Sequence, residues 1–267
     1  MSSTGIFDSH AHYDDPAFDA DREELLAALP GKGVSRVVNC GADLASSRKA
    51  AALAERYPYF YAAAGIHPEE AHDLPADWEE QLKALLAIPK MVAVGEIGLD
   101  YHFEGNPPRE MQRDVFEKQI LLANSLGLPV IIHDRDAHGD TMELLRKHRP
   151  RGVVHCFSGS VEMAKEVLRG GMYLGLGGAV TFKNARVPVE VAKMVPPDRL
   201  LLETDCPYMA PVPFRGKRND SSLIAYTAAR IAEIRGEDVQ ELIARTYRNA
   251  SRLFLGSEDG AETAGKA

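Results

Sequence analysis

The sequence predicts a (β/α)8 TIM barrel in a single domain, on three observations. Eight β-rich runs recur along the 267 residues, stretches of helical periodicity separate them, and polar side chains collect at the C-terminal ends of the runs. The runs are 6–10, 35–41, 60–67, 91–98, 128–134, 152–157, 172–178 and 200–205. Most are apolar up to a polar end, as strands buried on both faces read. Between them, 21–29, 44–57, 77–87, 109–127, 139–148 and 161–170 space apolar residues three and four apart, the period of a helix with one buried face. Repeated alternation of this kind argues for a closed parallel barrel over an open doubly wound sheet. After the eighth run come a proline-rich loop, CPYMAPVPFRGKRND (206–220), and helices expected from about Ser221 to Leu255. The expected domain covers 1–256, and the small polar residues of 257–267 are expected to form a disordered tail.

Composition narrows the function. A chain of 267 residues suits one α/β barrel and can bury a large core without staples. No apolar run approaches the ~20 residues of a membrane span. The N-terminal stretch lacks the basic start and apolar segment of a signal peptide. The expectation is a cytoplasmic protein with no membrane partner. A formal net charge of -8 excludes wrapping a duplex by bulk charge, so an anionic substrate must be met locally. Cys40, Cys156 and Cys206, an odd count without close pairing, read as reduced thiols. Cys156 and Cys206 adjoin His155 and Asp205. If those two face the barrel interior along a strand, the cysteines face the helix layer and pack there.

The chemistry lies at the ends of the runs, where α/β barrels place their active sites. Strand one ends in His10 and His12, which share a face at i and i+2 and can bind one metal from one side. Glu96 ends the apolar run of strand four. A buried glutamate is costly unless it is paired or bound to metal, so it either meets a distant arginine or offers one oxygen to each of two metals. His133 and His155 close strands five and six; either alone reads as a hydrogen-bonded core histidine, and together they suit a second metal. Asp205, at the end of strand eight, can complete the first metal's shell and take a proton from its water. Imidazole with carboxylate suits Zn, Mn or Fe. His67 can donate to a phosphate or be structural. Arg135 can meet phosphate or pair with Asp136, and Arg215, Lys217 and Arg218 form a small basic cluster after strand eight.

Seven stretches then occur in order: FDSHAH, GIHP, VGEIGLDY, VIIHDRDAH, HCFSGS, LLETDCPY and APVPFRGKRN. With them the chain resembles the TatD family of metal-dependent deoxyribonucleases in the amidohydrolase superfamily. The one departure is Asp220-Ser221, where the family usually has Glu-Pro. The resemblance implies a (β/α)8 barrel, phosphodiester hydrolysis and two divalent ions among Zn, Mg, Mn, Fe and Ni. It implies that His10, His12, Glu96 and Asp205 hold one metal, and that Glu96, His133 and His155 hold the other. Asp205 and Glu96 are then the catalytic residues, and His67, Arg135, Arg215 and Arg218 the substrate contacts. The favoured activity is 3′–5′ trimming of single-stranded DNA or RNA ends. The alternatives are cleavage of an ester or amide, such as deacylation of a wrongly charged tRNA, and a scaffold whose metal is only structural.

Overall fold

The eight β-rich runs become eight parallel strands in a computed structural model that describes residues 5–257. They are β1 (Ile6–Ala11), β2 (Val34–Cys40), β3 (Phe60–Ala64), β4 (Met91–Asp100), β5 (Val130–Arg135), β6 (Gly152–Val154), β7 (Tyr173–Leu176) and β8 (Leu200–Leu202), each pairing with the next in sequence order. The ring closes just past the last strand, where the Asp205 N–H donates to the His10 carbonyl (3.0 Å) and the His12 N–H to the Cys206 carbonyl (2.8 Å). The helices are α1 (Arg22–Ala28), α2 (Leu44–Arg56), α3 (Trp78–Leu86), α4 (Arg109–Leu126), α5 (His138–His148), α6 (Val161–Arg169), α7 (Arg186–Met194), α8 (Ile224–Arg235) and α9 (Val239–Leu255). Except for Ser257, the expected tail lies outside the described residues. Among those residues no helix is long and apolar enough to cross a membrane.

Two buried clusters fill the fold. The inner one draws Phe7, Val38, Tyr61, Val92, Ile131, Val153, Tyr173 and Leu201, a residue from every strand, and takes no residue from α1 to α8, which pack outside the ring. Tyr247, Leu253 and Phe254 of α9 join it. Their rings meet Phe7 at centroid distances of 5.8 Å (Tyr247) and 6.2 Å (Phe254), so α9 closes the end of the barrel opposite the histidines. Asn249 fastens it there, donating to the Pro197 and Leu200 carbonyls (2.9 Å each). The outer cluster lies between strands and helices and includes Leu26, Leu82, Phe116, Leu145, Val167 and Ile231.

Four readings from sequence need correction. β3, β6, β7 and β8 stop before their runs do, so His67, His155 and Asp205 stand on loops just beyond the strands. β4 instead runs on to Asp100, which leaves Glu96 inside the strand. Cys156 and Cys206 are likewise on loops, so strand alternation does not orient them; all three cysteines are free thiols, with Cys206 in the outer core. The sequence reading assigns no helix between β7 and β8, yet α7 is there. Its valines and Pro188 obscure the pattern, but a proline in the first turn removes no intrahelical hydrogen bond, and Val191 and Ala192 bury its inner face.

Two strands carry an extra residue where it matters. Along β1, Asp8 pairs with Val37 and Ala11 with Asn39, three steps against two. Along β4, Val94 pairs with Val130 and Ile97 with Ile132, again three against two. Such bulges re-aim a side chain. The first lets Phe7 fill the barrel and His10, three residues on, reach its mouth; the second falls at Gly95–Glu96. If α9 seals the barrel as its contacts require, Phe254→Ala should lower unfolding free energy by about 3–5 kcal/mol. Urea denaturation checks this, and a loss below about 1 kcal/mol would mean that the plug is not part of the core.

Candidate metal centre

Glu96 is almost fully buried and its two oxygens face different partners. Oε2 lies 3.2 Å from His10 Nε2 and 3.3 Å from His12 Nε2. Oε1 lies 2.7 Å from His155 Nε2, 3.0 Å from His133 Nδ1 and 3.6 Å from His67 Nε2. Among the described residues no arginine pairs with Glu96, so its ion-pair reading falls. Asp205 Oδ1 comes within 3.7 Å of His10 Nε2 and 3.5 Å of His12 Nε2. Its backbone is left-handed (φ 59°), a conformation uncommon outside glycine and a few polar residues. Three groupings bring ligand atoms within 4.8 Å of one another: His10, His12 and Glu96; His10, His155 and Asp205; and His67, Glu96 and His133.

The inward nitrogens are selected from behind. His12 Nδ1 faces the Cys40 carbonyl (2.9 Å) and His133 Nε2 faces Asp100 Oδ2 (3.2 Å). Both partners only accept, so each ring, once neutral, keeps its proton on the outer nitrogen and turns a lone pair inward. That is the outer-shell arrangement of metal-bound histidines. His155 Nδ1 stands 4.0 Å from Glu203 Oε1, and Glu203 also accepts the Cys156 N–H. His67 is the reverse case: its Nδ1 accepts the Glu69 N–H (3.3 Å), so the neutral ring points Nε2–H into the site. Four imidazoles with a lone pair to offer and two carboxylates suit a divalent cation in both donor type and placement.

Charge in the cluster follows from burial and contact. Burial alone would push the His133 pKa down, but hydrogen bonds to Asp100 and Glu96 outweigh it and raise it to about 10. His12 is raised in the same way through Asp205 and Glu96, and His155 through Glu96. His10 falls to about 4 and His67 to about 3, mainly by burial. Burial would raise Glu96, yet the surrounding imidazoles, His155 first, hold it well below the usual carboxylate range; Asp205 is lowered too, chiefly by His12 against its own burial. Glu203 has less compensation, and burial raises it to about 8.

Three buried acids that the sequence reading passed over support these groups. Asp100 holds His133. Glu203 stands behind His155, with Gly175 beside it where a Cβ would lie 2.2 Å from Oε2. Asp8 accepts the His10 and Thr204 N–H groups on Oδ1 (3.2 and 3.0 Å), and on Oδ2 the hydroxyls of Thr204 and Ser221 (2.6 and 2.7 Å). It thereby ties β1 to the residue before Asp205. Each stands in an apolar run, as Glu96 does, and a buried acid needs a partner, so the signal for all three was present in the sequence.

The centre opens into a cavity of about 370 Å3, also lined by Asp14, Asp15, Lys49, Glu69 and Tyr208. A slightly larger cavity, about 460 Å3, lies between α5 and α6 and contains none of these groups. Of the expected substrate contacts, only His67 reaches the centre. The Arg135 guanidinium is on the rim, 4.8 Å over the Phe103 ring, and that of Arg215 is 4.5 Å over Phe182. Arg218 is held by Asp21 through two hydrogen bonds (2.7 and 2.6 Å) and by the Ala17 carbonyl (2.9 Å). This position pins the 206–220 loop to the start of α1.

A sequence model of the TatD related DNase family matches residues 7–255. The chain belongs to this family. It is 44% identical over 252 residues to the uncharacterized metal-dependent hydrolase YabD of Bacillus subtilis, covering 93% of this chain and 98% of that one. It is 38% identical over 259 residues to the 3′-5′ ssDNA/RNA exonuclease TatD of Cronobacter sakazakii, covering 94% and 98%. The crystal structure of YjjV, a TatD homologue from Escherichia coli K12, superposes with a TM-score of 0.88 at 35% identity, over 93% of this chain and 97% of that one. The match contains every histidine and carboxylate of the centre.

His12 is raised well above the usual imidazole range and His133 to about 10, whereas ligation needs neutral imidazoles, so binding must displace protons from these rings. Uptake of a divalent cation at pH 7 should therefore release protons, and apparent affinity should strengthen as pH rises from 6 towards 9. Calorimetric titration in buffers of different ionisation enthalpy measures this. Uptake without proton release would mean that the rings are already neutral.

Proposed function

We propose that this TatD-family nuclease trims 3′ ends of single-stranded DNA or RNA with two divalent ions bridged by Glu96. The observation that carries the reading is the division of Glu96: one oxygen faces His10 and His12, the other His133 and His155. His10, His12, Asp205 and Glu96 Oε2 would hold one ion; His133, His155 and Glu96 Oε1 would hold the other. The His10 ring stacks on His155 at 3.9 Å, so the two sets adjoin. Such ions would supply Lewis-acid polarisation of a phosphoryl oxygen and activation of water.

The chain's own groups do the rest. Asp205 is held ionised and sits at the cavity, where it can accept the proton of the attacking water. His67, neutral with Nε2–H inward, donates a hydrogen bond to a phosphate oxygen. Arg135, at the end of β5, and Arg215, in the loop after β8, meet phosphates farther along a strand, whereas Arg218 acts by holding its loop. The relatives named as ssDNA/RNA exonucleases support the substrate class. We place the activity in the cytoplasm, where the free thiols stay reduced. Turnover of labelled single-stranded DNA and RNA after metal stripping, with Zn, Mg, Mn, Fe and Ni restored in turn, tests the reading. Full activity in metal-free protein would overturn it.

Two substitutions separate the roles. Glu96→Ala should release both ions, while His155→Ala should release mainly one; elemental analysis counts them, and a Glu96→Ala protein that keeps two tight ions excludes the bridge. Asp205→Asn retains shape and one ligand oxygen but removes the proton acceptor. Single-turnover hydrolysis should fall at least ~100-fold, with the ion at His133 and His155 retained. Near-normal turnover would place the base elsewhere.

A further inference from the structure

The mouth of the barrel has two unlike sides. Towards β1 and β3 the cavity is lined by the acids Asp14, Asp15 and Glu69, with Lys49 among them. Phe103 stands past the end of β4, and Arg135 ends β5. Phe103 is 48% exposed. The Arg135 guanidinium lies 4.8 Å from its centroid, and the His102 ring meets it edge-on at 4.8 Å and 85°.

A single exposed apolar residue needs no explanation. This one differs in how firmly its loop is held. The Asp100 carboxylate accepts the His102 N–H (2.8 Å), and the Asp100 carbonyl accepts from Asn106 Nδ2 (3.2 Å) and Gln112 Nε2 (2.9 Å). The Asn106 N–H donates to the Phe103 carbonyl (3.2 Å), and the Tyr101 N–H donates to the Arg135 carbonyl (2.9 Å), joining loop to strand. The same Asp100 holds His133. A half-exposed aromatic ring and the guanidinium stacked on it are thus fixed relative to the centre, on the side of its mouth away from Asp14, Asp15 and Glu69.

We infer that Phe103 and Arg135 form a subsite for a nucleotide beside the scissile phosphodiester, with Phe103 stacking on its base and Arg135 meeting its phosphate. This rests on the nuclease reading above. Every nucleobase has a π-face, so the contact is tolerant of sequence, and an adjoining guanidinium adds to it. Bases inside a duplex are stacked on both faces and cannot use the ring. The subsite therefore selects a single strand and leads it out over β4 and β5, away from Asp14, Asp15 and Glu69.

The test compares Phe103→Ala, Phe103→Trp and Arg135→Gln with wild type, on a single-stranded oligonucleotide and on methyl 4-nitrophenyl phosphate, which has no base. Phe103→Ala should raise KM for the oligonucleotide at least about fivefold, leave the small diester unchanged and keep kcat; Phe103→Trp should restore KM. An abasic position near the cleaved end should erase the difference between Phe103→Ala and wild type. Arg135→Gln should reduce the slope of log KM against log salt by about 0.7. An unchanged oligonucleotide KM in Phe103→Ala, an equal change on both substrates, or an unchanged salt slope in Arg135→Gln overturns the subsite alone. Failure of wild type to cleave any oligonucleotide while it cleaves the small diester overturns the nuclease reading and the subsite with it.

Discussion

A carboxylate buried at the mouth of a barrel is the constraint on which the rest of this structure depends. An isolated ionised glutamate in such a place would neutralise by taking a proton. Glu96 stays ionised because imidazoles reach it from β1, β5 and the loop after β6. No local segment can supply that compensation, since the partners are up to 86 residues apart in sequence (His10 and Glu96). The ring of strands must therefore close before the centre exists. Its closure is made by the same residues, through the backbone bonds that join Asp205 to His10 and His12 to Cys206. The same segments thus close the barrel and carry the centre.

The second layer turns a crowd of polar groups into an ordered donor set. An imidazole presents either of two nitrogens, and the one it offers is decided by what the other touches. The Cys40 carbonyl and Asp100 make that choice for His12 and His133, and the Glu69 N–H makes the opposite choice for His67. Rings of one residue type thereby take different parts, lone-pair donor or proton donor. Asp8 performs a comparable service for the backbone, holding His10 and Thr204 in one carboxylate so that the first and last strands deliver His10 and Asp205 to the same point.

Charge at the mouth reconciles an acidic protein with an anionic substrate. The chain carries a formal net charge of -8, and acids line one side of the cavity. Long-range attraction for a polyanion is thus weak. In the function proposed above, binding rests instead on short-range contacts: the centre itself, the His67 N–H, Arg135 and Phe103.

The architecture and the residue types of the centre were legible in the sequence. Apolar runs ending in His10, His133 and Asp205 are legible because a strand buried on both faces must be apolar until it emerges, and in a barrel it emerges at the active face. Ordered motifs did the same for the family. The tertiary structure alone decided how these groups meet. The extra residues in β1 and β4 that aim His10 and Glu96 are properties of register between strands, which no single strand encodes. Asp100, Glu203 and Asp8 lie in apolar runs that mark them as buried, but only folding sets them behind the ligands. Arg218 carries the same charge as Arg135 and Arg215 in the sequence, yet Asp21, 197 residues away, engages it. Sequence shows which groups are present; which lone pair faces the centre, and which cation stays free to meet a phosphate, depends on neighbours that only the closed barrel brings together.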